Sequence, residues 1–75
     1  MSISDILIHV NEPLNHQQRH SLEEAVREVD GVVAPRFNDG TEHLLLVAFN
    51  PAVTNTKTLL SKVKSYGYHA QLIGV

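Results

Sequence analysis

From Ile3 to Val10 apolar and mixed positions alternate, with β-branched residues prominent, and a period of two predicts a strand. Ile6, Ile8 and Val10 would face one side, Leu7 and His9 the other. From Asn15 to Val29 the period changes. Leu22, Ala25, Val26 and Val29 recur at three and four, the stripe of an amphipathic helix, and Gly31 stands where such helices end. Val32 to Asn38 reads as a second strand. Pro35 donates no ladder hydrogen bond, which places this strand at a sheet edge. The stretch NDGT, Asn38 to Thr41, suits a hairpin turn. His43 to Asn50 is a third strand, apolar almost throughout and therefore central. Asn55 can cap a second helix, with Leu59, Leu60 and Val63 as its buried stripe. Gly67 closes that helix, and His69 to Val75 is a short fourth strand.

The order βαββαβ predicts an α+β fold, a ferredoxin-like sandwich with a four-stranded antiparallel sheet and two helices on one face. The expected core is Ile6, Ile8, Val10, Leu22, Val26, Val29, Val32, Phe37, Leu45, Val47, Phe49, Leu59, Val63, Ala70 and Leu72. No linker or repeat interrupts the 75 residues, so residues 1–75 are expected to form one domain. If Leu45, Val47 and Phe49 point to the helices, Leu7, Leu44, Leu46 and Ala48 share the open face. A register slip of one residue would exchange the two faces. Three leucines on a helix-free face form the kind of patch that serves association, so a homodimer or a partner protein is expected there.

Composition narrows the function classes. With 43% apolar and 19% charged residues the chain reads as a soluble globular protein. No stretch approaches the ~20 apolar residues of a membrane span, so no membrane insertion is expected. The opening MSISDILIHV has neither a basic region nor a long apolar run, so a secretory signal is not expected and a cytoplasmic location is the default. A net charge of −2 with six Lys plus Arg argues against nucleic acid as a partner. There is no cysteine, which removes disulfides, thiolate metal sites and cysteine nucleophiles together. No nucleophile with an adjacent base, no glycine-rich phosphate loop and no paired carboxylates are visible, so an enzyme is not expected. An RNA-binding sheet would carry aromatic residues where this one carries leucines.

Four local features, in this order and spacing, resemble the heavy-metal-associated domains, the fold of copper chaperones and of the N-terminal modules of metal-pumping ATPases. They are the strand ending in Val10, the Gly31-Val32 pair, the Phe49-Asn50-Pro51 triplet and the Gly67-Tyr68 pair. The resemblance covers nearly the whole chain. It implies a metal-binding loop of the form G-M-x-C-x-x-C after the first strand. Counting back from Gly31, the Gly and Met positions fall on Glu12 and Pro13, and the two cysteine positions on Asn15 and Gln18. All four depart from the pattern. The family's two-thiolate site for Cu(I) is therefore absent, because amide oxygens do not replace thiolates for a soft ion. Asn15-His16-Gln17-Gln18 has instead the form of a capping box, in which each outer side chain accepts from the other's backbone amide.

Histidine supplies the remaining metal chemistry. His16 and His20 are four apart, on one face of the predicted helix and opposite its apolar stripe. Such a pair can chelate Zn(II), Ni(II) or Cu(II) through imidazole nitrogen, with Glu23 and Glu24 one turn further on. Two solvated polar residues are the plainer reading. His9 and His69 form a second candidate pair, as cross-strand neighbours on the open face, or simply as exposed polar residues. His43, at the start of the third strand, is expected at the other end of the sheet and alone. The first helix carries Glu23, Glu24, Glu28 and, just past it, Asp30, while the second carries Lys57, Lys62 and Lys64. The resemblance implies that such complementary surfaces guide docking between domains. Two functions follow: a metal-handling domain using histidine in place of thiolate, or a cysteine-free interaction module that associates through its open sheet face.

Overall fold

A computed structural model describes residues 2–73. The elements are β1 (Ser4–Val10), α1 (His16–Arg27), β2 (Val32–Asn38), β3 (Thr41–Phe49), α2 (Thr56–Lys64) and β4 (Ala70–Leu72). The strands form one antiparallel sheet in the order β2-β3-β1-β4, the expected ferredoxin-like arrangement. The Pro35 strand lies at an edge, where a missing N–H costs no ladder bond. α1 rests against β2, α2 against β4, and the helices touch each other.

The hydrophobic alternation sets which face is covered. Ile6, Ile8, Val10, Leu45, Val47 and Phe49 are buried beneath Leu22, Val26, Leu59 and Val63 of the helices. Leu7 pairs with Leu46 and His9 with Leu44 on the opposite face, where they remain half-buried. The register is therefore the expected one. Gly31 turns the chain out of α1 with φ of +93°, and its carbonyl accepts from the Asn50 amide at 2.7 Å. A side chain has no room there, since a Cβ would lie 2.9 Å from Val53 Cβ.

The core differs from expectation at its margins. Leu14, Pro35 and Thr54 are buried although the periodicity does not select them, and Ala25 of the helical stripe joins the core as well. Leu14 sits between strand and helix, where no period runs. Val29, Val32 and Phe37 are only partly covered. Leu72 is 37% exposed, because it ends a three-residue strand with no neighbour beyond it. Of the expected fourth strand, His69 precedes the ladder and Ile73 follows it, while Gly74 and Val75 lie outside the described residues.

Candidate functional site

The loop between β1 and α1 shows what Asn15 and Gln18 do. The Asn15 side chain accepts from the Gln18 amide at 2.8 Å, and the Gln18 side chain accepts from the Asn15 amide at 2.9 Å. The expected capping box is present with both arms. Leu14 anchors the loop in the core, and its carbonyl accepts from the Arg19 guanidinium at 2.6 Å. Both positions that correspond to family ligands are thus engaged with backbone.

All five histidines stand toward this end of the molecule. His9 is near the end of β1, His16 and His20 lie in the first turns of α1, His43 is near the start of β3, and His69 precedes β4. The expectation that His43 stands alone at the far end is wrong. Antiparallel pairing brings the start of β3 beside the end of β1. The His43 ring stacks on that of His9, with centroids 5.6 Å apart and planes 12° from parallel. His9 and His69 are not cross-strand neighbours either: His9 faces Gln71, and His69 lies one pair beyond the ladder, its carbonyl accepting from the Asn11 amide.

The hydrogen bonds of His43 and His69 fix which ring nitrogen carries the proton. His43 Nδ1 lies 2.7 Å from the Val10 carbonyl. A carbonyl only accepts, so the proton is on Nδ1 and the Nε2 lone pair is free. His69 Nδ1 lies 2.7 Å from the Glu12 carboxylate and donates in the same way. The same carboxylate also accepts from the His69 backbone amide. The bond from the His69 side chain holds the Glu12 carboxyl below the usual carboxylate range. His9 Nδ1 lies 3.0 Å from the Asn11 side-chain oxygen. Gln71 also reaches this nitrogen, through its side-chain amide nitrogen at 3.2 Å, so His9 Nδ1 stands between an acceptor and a donor. Three imidazoles thus place Nδ1 within hydrogen-bond reach of oxygens of three consecutive residues, Val10, Asn11 and Glu12. The periodicity gives no hint of this, since it depends on which strand ends meet.

His16 and His20 open onto a groove of about 100 Å³ between α1 and the β2–β3 turn. Asp39 and Glu42 line its far side. Glu23 does not offer the free oxygen expected of it. One of its oxygens accepts from the Phe37 amide at 2.6 Å, and the other lies 3.9 Å from His20. Glu24 pairs with Arg27 instead. Among the described residues no three His, Asp or Glu side chains are close enough together to hold an ion as they stand.

No protein-family profile and no curated protein matches the sequence. Solved structures do match, across nearly the whole chain. A copper-binding domain of a P-type ATPase shares 18% identity, with a TM-score of 0.84 and 93% of each chain covered. MerP from Ralstonia metallidurans shares 18% identity with a TM-score of 0.83, covering 95% of this chain and 97% of its own. The N-terminal domain of a potential copper-translocating P-type ATPase from Bacillus subtilis, solved in its Cu(I)-loaded state, shares 18% identity with a TM-score of 0.85, covering 97% and 90%. No helix among the described residues is long and apolar enough to cross a membrane. The chain has the fold of the heavy-metal-associated domains, built from a sequence that contains no cysteine.

Proposed function

We propose that this chain handles a divalent transition-metal ion through imidazole nitrogen at the loop-bearing end of its sheet. One observation carries the reading: His43 and His69 each donate Nδ1–H to an oxygen, leaving Nε2 as the free donor, and the His43 ring stacks on that of His9. Metal-ligating histidines almost always use their second nitrogen in this way, and the bond orients the ring and raises its basicity. Imidazole suits Zn(II), Ni(II) and Cu(II). Cu(I), the ion named for some neighbours of this fold, is not the proposed cargo, because the chain offers no thiolate. His16 and His20, with Asp39 and Glu42 across the groove, are the competing donor set.

Calorimetric titration of Zn(II), Ni(II) and Cu(II) at neutral pH tests this reading. Saturable binding with a micromolar or lower Kd is expected. His9→Gln/His43→Gln should weaken it at least tenfold, and His16→Gln/His20→Gln should leave it intact. Heat signals no larger than those of buffer for all three ions would overturn the proposal. The reverse pattern of variants would assign the groove instead.

A second reading has its own observation. Leu7, Leu44, Leu46 and Ala48 lie on a sheet face that no helix covers, and Ile73, 46% exposed, continues that face opposite Leu7. A module that binds another protein through this face needs no metal. It would keep its partner in the presence of chelator.

A further inference from the structure

We infer that two copies of this chain pair through their open sheet faces around one divalent ion, held by His9 and His43 of each copy. The inference rests on the metal reading above and names the ligand set and the partner.

A single chain supplies only half a shell. His9 and His43 form a stacked pair, and among the described residues no third His, Asp or Glu is placed to complete a site. A structural Zn(II) site takes four ligands in a tetrahedron at about 2.0–2.1 Å for nitrogen. Two such nitrogens stand about 3.4 Å apart by that geometry, closer than the rings now are, so binding tilts them toward each other. A two-fold axis through the ion supplies the other two nitrogens from an identical pair, and an isologous contact of this kind is the commonest oligomer geometry.

The pair also stands where a second copy would complete it. His9 belongs to the row Leu44, His9, Gln71 across the open face. The next row is Arg36, Leu46, Leu7 and Ile73, and the one after it Ala34, Ala48 and Asp5. A two-fold axis along the strands, between β1 and β3, lays Leu7 over Leu46 of the second copy and Leu46 over its Leu7. It brings the two histidine pairs together at one end. Sheets packed face to face lie about 10 Å apart, so the ion sits about 5 Å from each.

Apolar contact alone does not suffice. Four strands at about 4.8 Å spacing, over the ~20 Å of a typical strand, give roughly 400 Å² per copy. A standard interface buries about 800 Å² per partner. The face is therefore half an interface and the histidine pair half a metal site, and each makes up the other's shortfall.

Sedimentation of the intact chain, with EDTA or with Zn(II), tests the inference. A monomer is expected in EDTA. The mass should double as Zn(II) reaches one ion per two chains. His43→Gln should abolish the doubling. Ile73→Lys, at an exposed position that leaves the core untouched, should raise the dimer dissociation constant at least tenfold. His16→Gln/His20→Gln should dimerise as wild type does. Zn(II) binding without a change in mass would overturn the pairing and leave the metal reading standing, whereas absence of binding by Zn(II), Ni(II) and Cu(II) alike would overturn both. A dimer that persists in EDTA would refute the bridging ion, and doubling that survives His43→Gln would refute the donor set.

Discussion

Replacing Asn15 by alanine separates a structural role for the loop from a ligand role. The substitution removes the oxygen that accepts from the Gln18 amide at 2.8 Å and leaves the reciprocal arm, Asn15 amide to Gln18 side chain, in place. The first turn of α1 contains no acidic residue, so no neighbouring carboxylate takes over the exposed donors. Asn15 is solvent-exposed, so water replaces the lost acceptor, and the cost is that of a cap, about 1 kcal/mol within a range of ~0.5–2. For a domain of this size that lowers the melting temperature by about 4–8 °C. With an m-value near 1 kcal/mol/M it lowers the urea midpoint by about 1 M. The two arms share one turn, so the effects of Asn15→Ala and Gln18→Ala should not add, and a double-mutant cycle reads their coupling. Asn15→Asp should keep the cap. Asn55→Ala, which removes the single-armed cap of α2, is the natural comparison. An unchanged midpoint in Asn15→Ala, with metal affinity lost instead, would refute the structural reading of this loop.

Three further outcomes follow from the same geometry. Gly31→Ala should cost about 2–4 kcal/mol, from the left-handed backbone and the clash with Val53 together; Gly40→Ala, at φ of +83° with open space around it, should cost only the backbone part, and equal losses in denaturant melts would contradict the close approach. Glu12 titrates below its ordinary range when folded, so its contribution is present above the unfolded carboxyl pKa and is lost as pH falls through the folded value. The stability gap between wild type and Glu12→Gln should thus be widest near neutrality and close in acid, and a gap that does not change with pH would count against the His69 bond. Finally, Asn15→Cys/Gln18→Cys should gain Cu(I) against a competing chelator while losing the cap, because soft thiolates select that ion; a folded variant that takes up no Cu(I) would mean that the loop has lost its shape as well as its ligands.

Strand and helix identities were legible because the period of two is clean in β1, that near four is clean in α1, and β3 is an almost unbroken apolar run. The same alternation placed Leu7 and Leu46 on the open face. The capping box was legible because its two partners lie three residues apart. What could not be read depended on which ends meet. Leu14 is a single apolar residue between Pro13 and Asn15 and belongs to no period, yet it is buried. The three-residue β4 carries too little alternation to set its own register, so His69 looked like the partner of His9, while the sheet puts Gln71 there. His43 was misplaced for a topological reason: the end at which a strand starts has meaning only relative to the neighbour with which it pairs.

The loop after β1 therefore has two roles, divided along its length. Asn15 and Gln18 saturate each other's amides and start α1. Val10, Asn11 and Glu12, just before them, supply the oxygens that orient His43, His9 and His69. The resemblance to heavy-metal-associated domains places soft donors within the loop itself, where one helical turn brings two sulfurs together in one chain. In this chain the histidines stand on or beside the strand ends, and Val10, Asn11 and Glu12 hold their rings in place. That change alters what one chain can do alone. Two residues of one turn can close on an ion by local motion, whereas two imidazoles on adjacent strands approach each other only as far as their rings tilt. On the proposed metal reading, a donor pair held in that way would favour an ion that accepts nitrogen and tolerates four ligands, and would leave half of the shell to be filled from outside the chain.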